Sequence, residues 1–179
     1  MMGRSPTVGA ALGEDVAAGR SVAMRVLVTI ASDGTNDAIG ARIGLVLGAR
    51  GHQVDVRTPS EVITVDSYDI VVLGSALDEG HWRDDATRLV VREVDDLSAR
   101  PVWLFSEAAG GPAGSDDTIV DVSDVMRATH AYEHRVFVAS HGSASDGGTM
   151  TAVLAPEDED PLDEVDRWAI SIADSISSG

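Results

Sequence analysis

Two periods of hydrophobic and polar positions alternate along most of this chain. From Met24 onward, short and nearly unbroken apolar runs give way to stretches where apolar residues recur every three or four positions. The first run, Arg25–Ala31 (RVLVTIA), is rich in β-branched residues. That is the pattern of a strand buried on both faces of a parallel sheet. Thr35–Arg50 follows, with Ile39, Ile43, Val46 and Leu47 on one face, which predicts a helix. Gly40, Gly44 and Gly48 recur within it. Each lowers helix propensity by roughly 1 kcal/mol relative to Ala. They are therefore expected to form a ridge of small residues that lets the helix approach the sheet closely. Gly51 is expected to end the helix in the left-handed conformation.

The alternation continues. Gln53–Arg57 reads as a strand, Pro59–Ile63 as a short helix or turn, and Ile70–Ser75 (IVVLGS) as a buried strand. A helix is predicted over Asp84–Leu97, with Ala86, Val90, Val94 and Leu97 in period. Asp84 and Asp85 open it at the end where the helix dipole favours negative charge. Pro101–Ser106 (PVWLFS) is the next buried strand, followed by a Gly-rich loop, Glu107–Ser115, and a weaker helix near Asp117–Thr129. His134–Ser140 (HRVFVAS) reads as a fifth strand, residues 142–148 as flexible and polar, and about Leu162–Ile176 as a closing helix. Its apolar stripe is Val165, Trp168, Ile172 and Ile176. No internal repeat is visible.

Strands alternating with helices predict an α/β fold with a parallel sheet, and right-handed crossovers leave few topologies. Ligands of such folds bind outside the carboxyl ends of the strands, where the strand order reverses. The segments to search are Ser32–Asn36, Ser75–Trp82 and Ser106–Gly111.

Composition narrows the chemistry. The chain has 179 residues, enough for one domain with a sizeable core. Residues 1–23, rich in Gly, Ala and Ser and without apolar periodicity, read as a disordered N-terminal extension to a domain spanning 24–179. Glu14 and Asp15 interrupt the only stretch that resembles a secretory signal. Met24 as the functional start is the other reading of this segment. All 13 basic residues are Arg, so chemistries that need a Lys, such as a Walker A loop or a Schiff base, are excluded. The absence of Cys excludes disulfides, thiolate nucleophiles and Cys-type metal sites. A net charge of −17, with 21 Asp and 9 Glu, argues against nucleic-acid or anionic-membrane partners. No apolar run approaches a membrane span, and a cytoplasmic location is the expectation. Asp richness without Lys suits either adaptation to high salt or codon bias in a GC-rich genome.

Three loops carry the candidate chemistry. Strand one ends in Ser32-Asp33-Gly34-Thr35-Asn36-Asp37 directly before a helix. Hydroxyls, a Gly and unpaired helix-start amides make an anion site without a basic side chain. The same residues also suit an ordinary N-cap, and Asp33 and Asp37 would repel a phosphate. In the second loop, Trp82 either covers a flat aromatic ligand or packs its own helix onto the sheet. His81 beside it reads as a solvated loop residue. In the third, the small residues after Ser106 would let a planar group lie against backbone.

At this point the chain resembles the flavodoxin family. More narrowly it is similar to single-domain members that include menaquinone-dependent protoporphyrinogen oxidases. The stretches RVLVTIASDGTNDAIG, ARGHQVDV, YDIVVLGSALDEGHW, ARPVWLFS, HRVFVAS and DEVDRWAISIAD carry the resemblance in order, over about Met24 to Ser178. It implies a three-layer sandwich around a five-stranded parallel sheet of order 2-1-3-4-5, binding FMN. The implied cofactor contacts are Ser32, Asp33, Gly34, Thr35 and Asn36 around the phosphate. Ser75, Ala76, Leu77, Gly80, His81 and Trp82, then Ser106, Glu107, Ala108 and Gly110, would lie around the flavin. The phosphate loop is one residue shorter than the family's usual Ser/Thr-x-Thr-Gly-x-Thr. No aromatic stands near Leu77 or Asp78, and Asp33, Asp78, Glu79 and Glu107 crowd the site with negative charge.

Two functions follow as expectations. One is an FMN-dependent redox protein, either an electron carrier or a small oxidoreductase, acting with a redox partner protein or a quinone-like small molecule. The other is a flavodoxin-fold protein without its cofactor, serving as a binding or scaffold module. No side chain stands out as a catalytic acid or base. His130 and His134, four apart with His141 beyond, have zinc-like spacing, but strand five should already be starting there. A phospho-receiver domain would need a Lys and an acidic strand-three end, and strand three ends Gly74-Ser75. The acidic run Pro156–Asp163 reads as a solvated loop feeding the last helix, with a partner-binding tail as the other reading.

Overall fold

The computed structural model describes residues 22–32, 38–109, 122–139 and 161–177. Strands β1 (Arg25–Ala31), β2 (Gln53–Arg57), β3 (Ile70–Asp78), β5 (Val102–Ala109) and β6 (Glu133–Ala139) form a parallel sheet in the order β2-β1-β3-β5-β6. A two-residue strand, β4 (His81–Trp82), pairs antiparallel with the end of β3. Leaving β4 aside, this is the expected 2-1-3-4-5 order. Helices α1 (Ala38–Ala49) and α4 (Pro161–Ser177) cover one face, and α2 (Asp84–Ser98) and α3 (Val122–Thr129) the other. Among the described residues, no helix is long and apolar enough to cross a membrane.

Each face has its own core, because alternate residues of a buried strand point to opposite sides. Val26, Val28 and Ile30 of β1 pack with Ile43, Leu47, Phe105 and Trp168 under α1 and α4. Leu27 packs with Leu73, Trp82, Leu89 and Leu104 under α2 and α3. Phe105, Phe137 and Trp168 form a cluster of tilted and edge-to-face rings, 5.5–6.1 Å between centroids. Gly74 exists for that cluster: a Cβ there would lie 2.1 Å from the Phe105 ring. Arg42 on α1 grips Asp166 on α4 with two bonds of 2.6 Å, which holds the Asp166 carboxyl below its usual range.

The glycine ridge of α1 is only partly a ridge. A Cβ on Gly40 would come within 3.1 Å of Ile30, and one on Gly44 within 2.6 Å of Val56. Gly48 faces open space, so close packing does not explain it. Gly51 ends the helix as expected, at φ 94°. The His52 amide reaches back to the Leu47 carbonyl and the Gly51 amide to that of Gly48, the two bonds of a Schellman motif. Pro59–Ile63 resolves as a turn, closed by Glu61, whose carboxylate accepts the Thr58 amide and hydroxyl. The expected start of α1 at Thr35, the polar segment 142–148 and most of 107–121 lie outside the described residues. So do residues 1–21 of the extension and most of the acidic run 156–163.

Two boundaries differ from the sequence reading. β3 continues to Asp78 and β5 to Ala109, each three residues past the expected end. Both tails are short on large apolar residues, so the sequence reads as loop. Backbone pairing carries the strands onward: Ser75 is opposite Ser106, and Ala76 is opposite Glu107.

Candidate functional site

The strand order reverses between β1 and β3, so the crevice beyond their carboxyl ends is where an open α/β sheet binds its ligand. Ala31, Ser75, Ser106 and Val136 form one row across β1, β3, β5 and β6. Ser32, Ala76, Leu77, Glu107 and Ala108 lie just beyond that row, toward one edge. The described parts of the three segments marked from sequence thus lie at one edge of the sheet. Asp33, Gly34, Thr35, Asn36 and Gly110 lie outside the described residues.

The second segment is a β-hairpin rather than the expected loop. Leu77 pairs with Trp82 and Asp78 with His81, leaving Glu79 and Gly80 as a two-residue turn. Both have positive φ, 50° and 84°, the requirement of a type I′ hairpin turn. Asn-Gly or Asp-Gly is the usual pair, so Glu79-Gly80 gives a weak signal in sequence. Glu79 is held in a region that costs a non-glycine residue free energy.

Hydroxyls expected to face a ligand hold this frame together instead. Ser75 is fully buried; its Oγ donates to the Ala76 carbonyl (2.8 Å) and accepts the Arg83 amide (2.9 Å). Arg83 is the N-cap residue of α2 and its side chain makes no cap, so Ser75 ties the helix start to β3. Ser106 is also fully buried. Its Oγ accepts the Trp82 indole N–H at 2.8 Å and lies 2.9 Å from Nε2 of His134. An indole can only donate, which fixes the direction of that bond. Trp82 is 3% exposed. Of the two roles open to it, it takes the packing one. The Trp82–Ser106–His134 chain links the hairpin, β5 and β6, and nothing in local sequence announces it.

What the edge presents outward is small or charged. Ala76, Leu77, Gly80 and Ala108 are half-buried, and Asp78, Glu79 and His81 are exposed. Glu107 is 5% exposed on strand β5, not in the loop where it was expected. A recess of about 360 Å³ beside the hairpin is lined by Asp78, His81, Trp82, Arg83, Asp84 and Asp85. Three carboxylates against one guanidinium make it unfavourable to anions. His134 lies on β6 and His130 in a turn at φ 53°, so the zinc-like pair does not share a helix face. His141 lies outside the described residues. Among the described residues there is no group of three or more acidic or His side chains placed to hold a metal.

A family model described as a flavodoxin domain matches residues 26–140. A flavodoxin from the domain Archaea superposes with a TM-score of 0.58 at 17% identity, covering 86% of this chain and 99% of its own. Oxidised flavodoxin 2 from Bacillus cereus gives 0.56 at 20% identity, covering 84% and 99%. Rubredoxin oxygen:oxidoreductase from Desulfovibrio gigas gives 0.59 at 8% identity, covering 86% of this chain and 36% of its own. No curated protein matches. The structural likenesses concern the fold alone, and the family match spans well over half of the sequence: the chain belongs to the flavodoxin-domain family.

Proposed function

We propose that the chain binds FMN at the carboxyl edge of its sheet and serves as a redox protein, either an electron carrier or a small oxidoreductase. The observation that carries this reading is the row Ala31–Ser75–Ser106. It brings the ends of β1, β3 and β5 to one edge beside the point where strand order reverses. The described residues there fit a planar group held by backbone: Ala76, Gly80 and Ala108 leave room, and the hairpin supplies a fixed wall. Ser32 to Asn36 are the proposed phosphate contacts. Ala76, Leu77, Gly80, His81, Glu107, Ala108 and Gly110 are the proposed flavin contacts, with Ser75, Trp82 and Ser106 positioning them. Bound flavin would supply one- and two-electron redox chemistry, and the protein would tune it. Asp78, Glu79 and Glu107 make the site electronegative, which disfavours added electrons and lowers the potential. A redox partner protein or a quinone-like molecule fits this reading. The quinone is proposed only on the narrower sequence resemblance to menaquinone-dependent protoporphyrinogen oxidases.

The second reading, a cofactor-free binding module, has a specific observation in its favour. The Ser75 and Ser106 hydroxyls and the Trp82 indole are committed internally, and carboxylates rim the site. A flavin fluorescence titration separates the two. The first reading expects saturable quenching with a dissociation constant below about 0.1 mM, roughly −5.5 kcal/mol. Unchanged fluorescence at that concentration selects the second.

A further inference from the structure

A cavity of about 560 Å³ lies at the opposite end of the sheet, where the strands begin, independent of the cofactor reading above. Ile70 and Ile176 form an apolar floor. Trp103 and Tyr132 form a wall, stacked with centroids 5.2 Å apart and planes 21° from parallel. Trp103 is buried, while Tyr132, stacked on it, is 70% exposed and borders the cavity. Among the described residues, Asp69 and Glu133 are the charged ones lining it. Asp69 accepts the Arg25 amide at 2.8 Å, and Glu133 accepts one bond from Arg135 at 2.9 Å. The last turn of α4 also borders the cavity and contains no basic residue, so its carbonyl end adds partial negative charge.

We infer that this cavity binds a small organic cation with a flat apolar body, such as an aromatic quaternary ammonium. The volume suits a small ligand. The apolar floor and aromatic wall take its hydrocarbon part, and ring faces attract cations. Asp69, the helix carbonyl end and Glu133, the last already paired with Arg135, set the sign of the charge, and no basic residue is among the described lining. The occupant is a separate small molecule whose positive charge complements Asp69 and Glu133.

The test is a titration of the full ¹⁵N-labelled chain with benzyltrimethylammonium chloride at low salt, followed by amide shifts. N,N-dimethylbenzamide and benzoate serve as neutral and anionic counterparts. The cation should saturate, move the amides of Ile70, Trp103, Tyr132 and Ile176, and bind at least about fivefold more tightly than the amide. Benzoate should not bind. Asp69→Asn keeps an acceptor for the Arg25 amide, and Glu133→Gln one for Arg135. Each, folded by circular dichroism, should weaken cation binding about threefold without affecting the amide. Absence of saturation, equal binding of cation and amide, or undiminished binding in both folded variants would overturn the inference. So would binding that appears only after deletion of residues 1–21, because that segment would then be the occupant.

Discussion

Ser106 accepts the only hydrogen bond open to a buried indole, and that bond sets the position of the hairpin. Ser106→Ala leaves the Trp82 N–H buried without a partner and should cost about 1–3 kcal/mol, read from urea denaturation. Trp82→Phe in the same background should cost less than it does alone, since the partner is already gone. Strict additivity would mean that the bond contributes nothing. His52 gives a residue-level pH dependence. It is 7% exposed, and its Nδ1 accepts the Met24 amide, so the ring must stay neutral; burial lowers its pKa from 6.5. Above pH 6.5 both folded and unfolded states hold it neutral. As pH falls below 6.5 the unfolded chain takes up a proton first, and stability drops until the lowered folded pKa is passed. His52→Asn keeps an acceptor for Met24 and removes the titration. The loss of stability between pH 7.5 and 5.5 should therefore be smaller in this variant. An equal loss in both proteins would assign it elsewhere. None of these roles is legible from sequence, because each depends on a partner 24 to 28 residues away.

The elements themselves were largely legible. Apolar runs marked β1, β3, β5 and β6, and the 3.6-residue period marked α1, α2 and α4, because burial on two faces or one leaves a distinct pattern. The hairpin was not legible, since Glu79 is an unusual residue for its left-handed position. Nor were the tails of β3 and β5, whose Ser, Ala and acidic residues resemble a loop. The α1 glycines show the same limit: identical in sequence, they differ in what lies opposite. Gly48→Ala meets open space and should raise stability by about 0.5–1 kcal/mol through helix propensity. Gly74→Ala drives a methyl into the Phe105 ring and should cost several kcal/mol or prevent folding. Thermal melts of the two variants should move in opposite directions; a destabilised Gly48→Ala would contradict the assignment of open space.

For the whole molecule the dominant quantity is a net charge of −17. Arg–carboxylate pairs such as Arg50–Asp174 and Arg127–Asp124 are exposed, and each contributes little. With 30 acidic and 13 basic residues, repulsion outweighs them, and screening should relieve it. The melting temperature should therefore rise between 0.05 and about 1 M sodium chloride, where the screening length falls to roughly 3 Å. A flat or falling response would show that the ion pairs matter more than the excess charge. The candidate site was legible at this scale through a rule of topology rather than through its side chains. The fold puts the described parts of the marked segments on one edge, yet it buries Ser75, Trp82 and Ser106. The central claim is that the edge binds FMN, and amide shifts of the full chain titrated with FMN test it most directly. The account predicts saturable one-to-one shifts at Ser32, Ala76, Leu77, Gly80 and Ala108, with Gly48 and Ile63 unmoved. Shifts absent from those positions at about 0.1 mM FMN, or spread evenly over the surface, would contradict it.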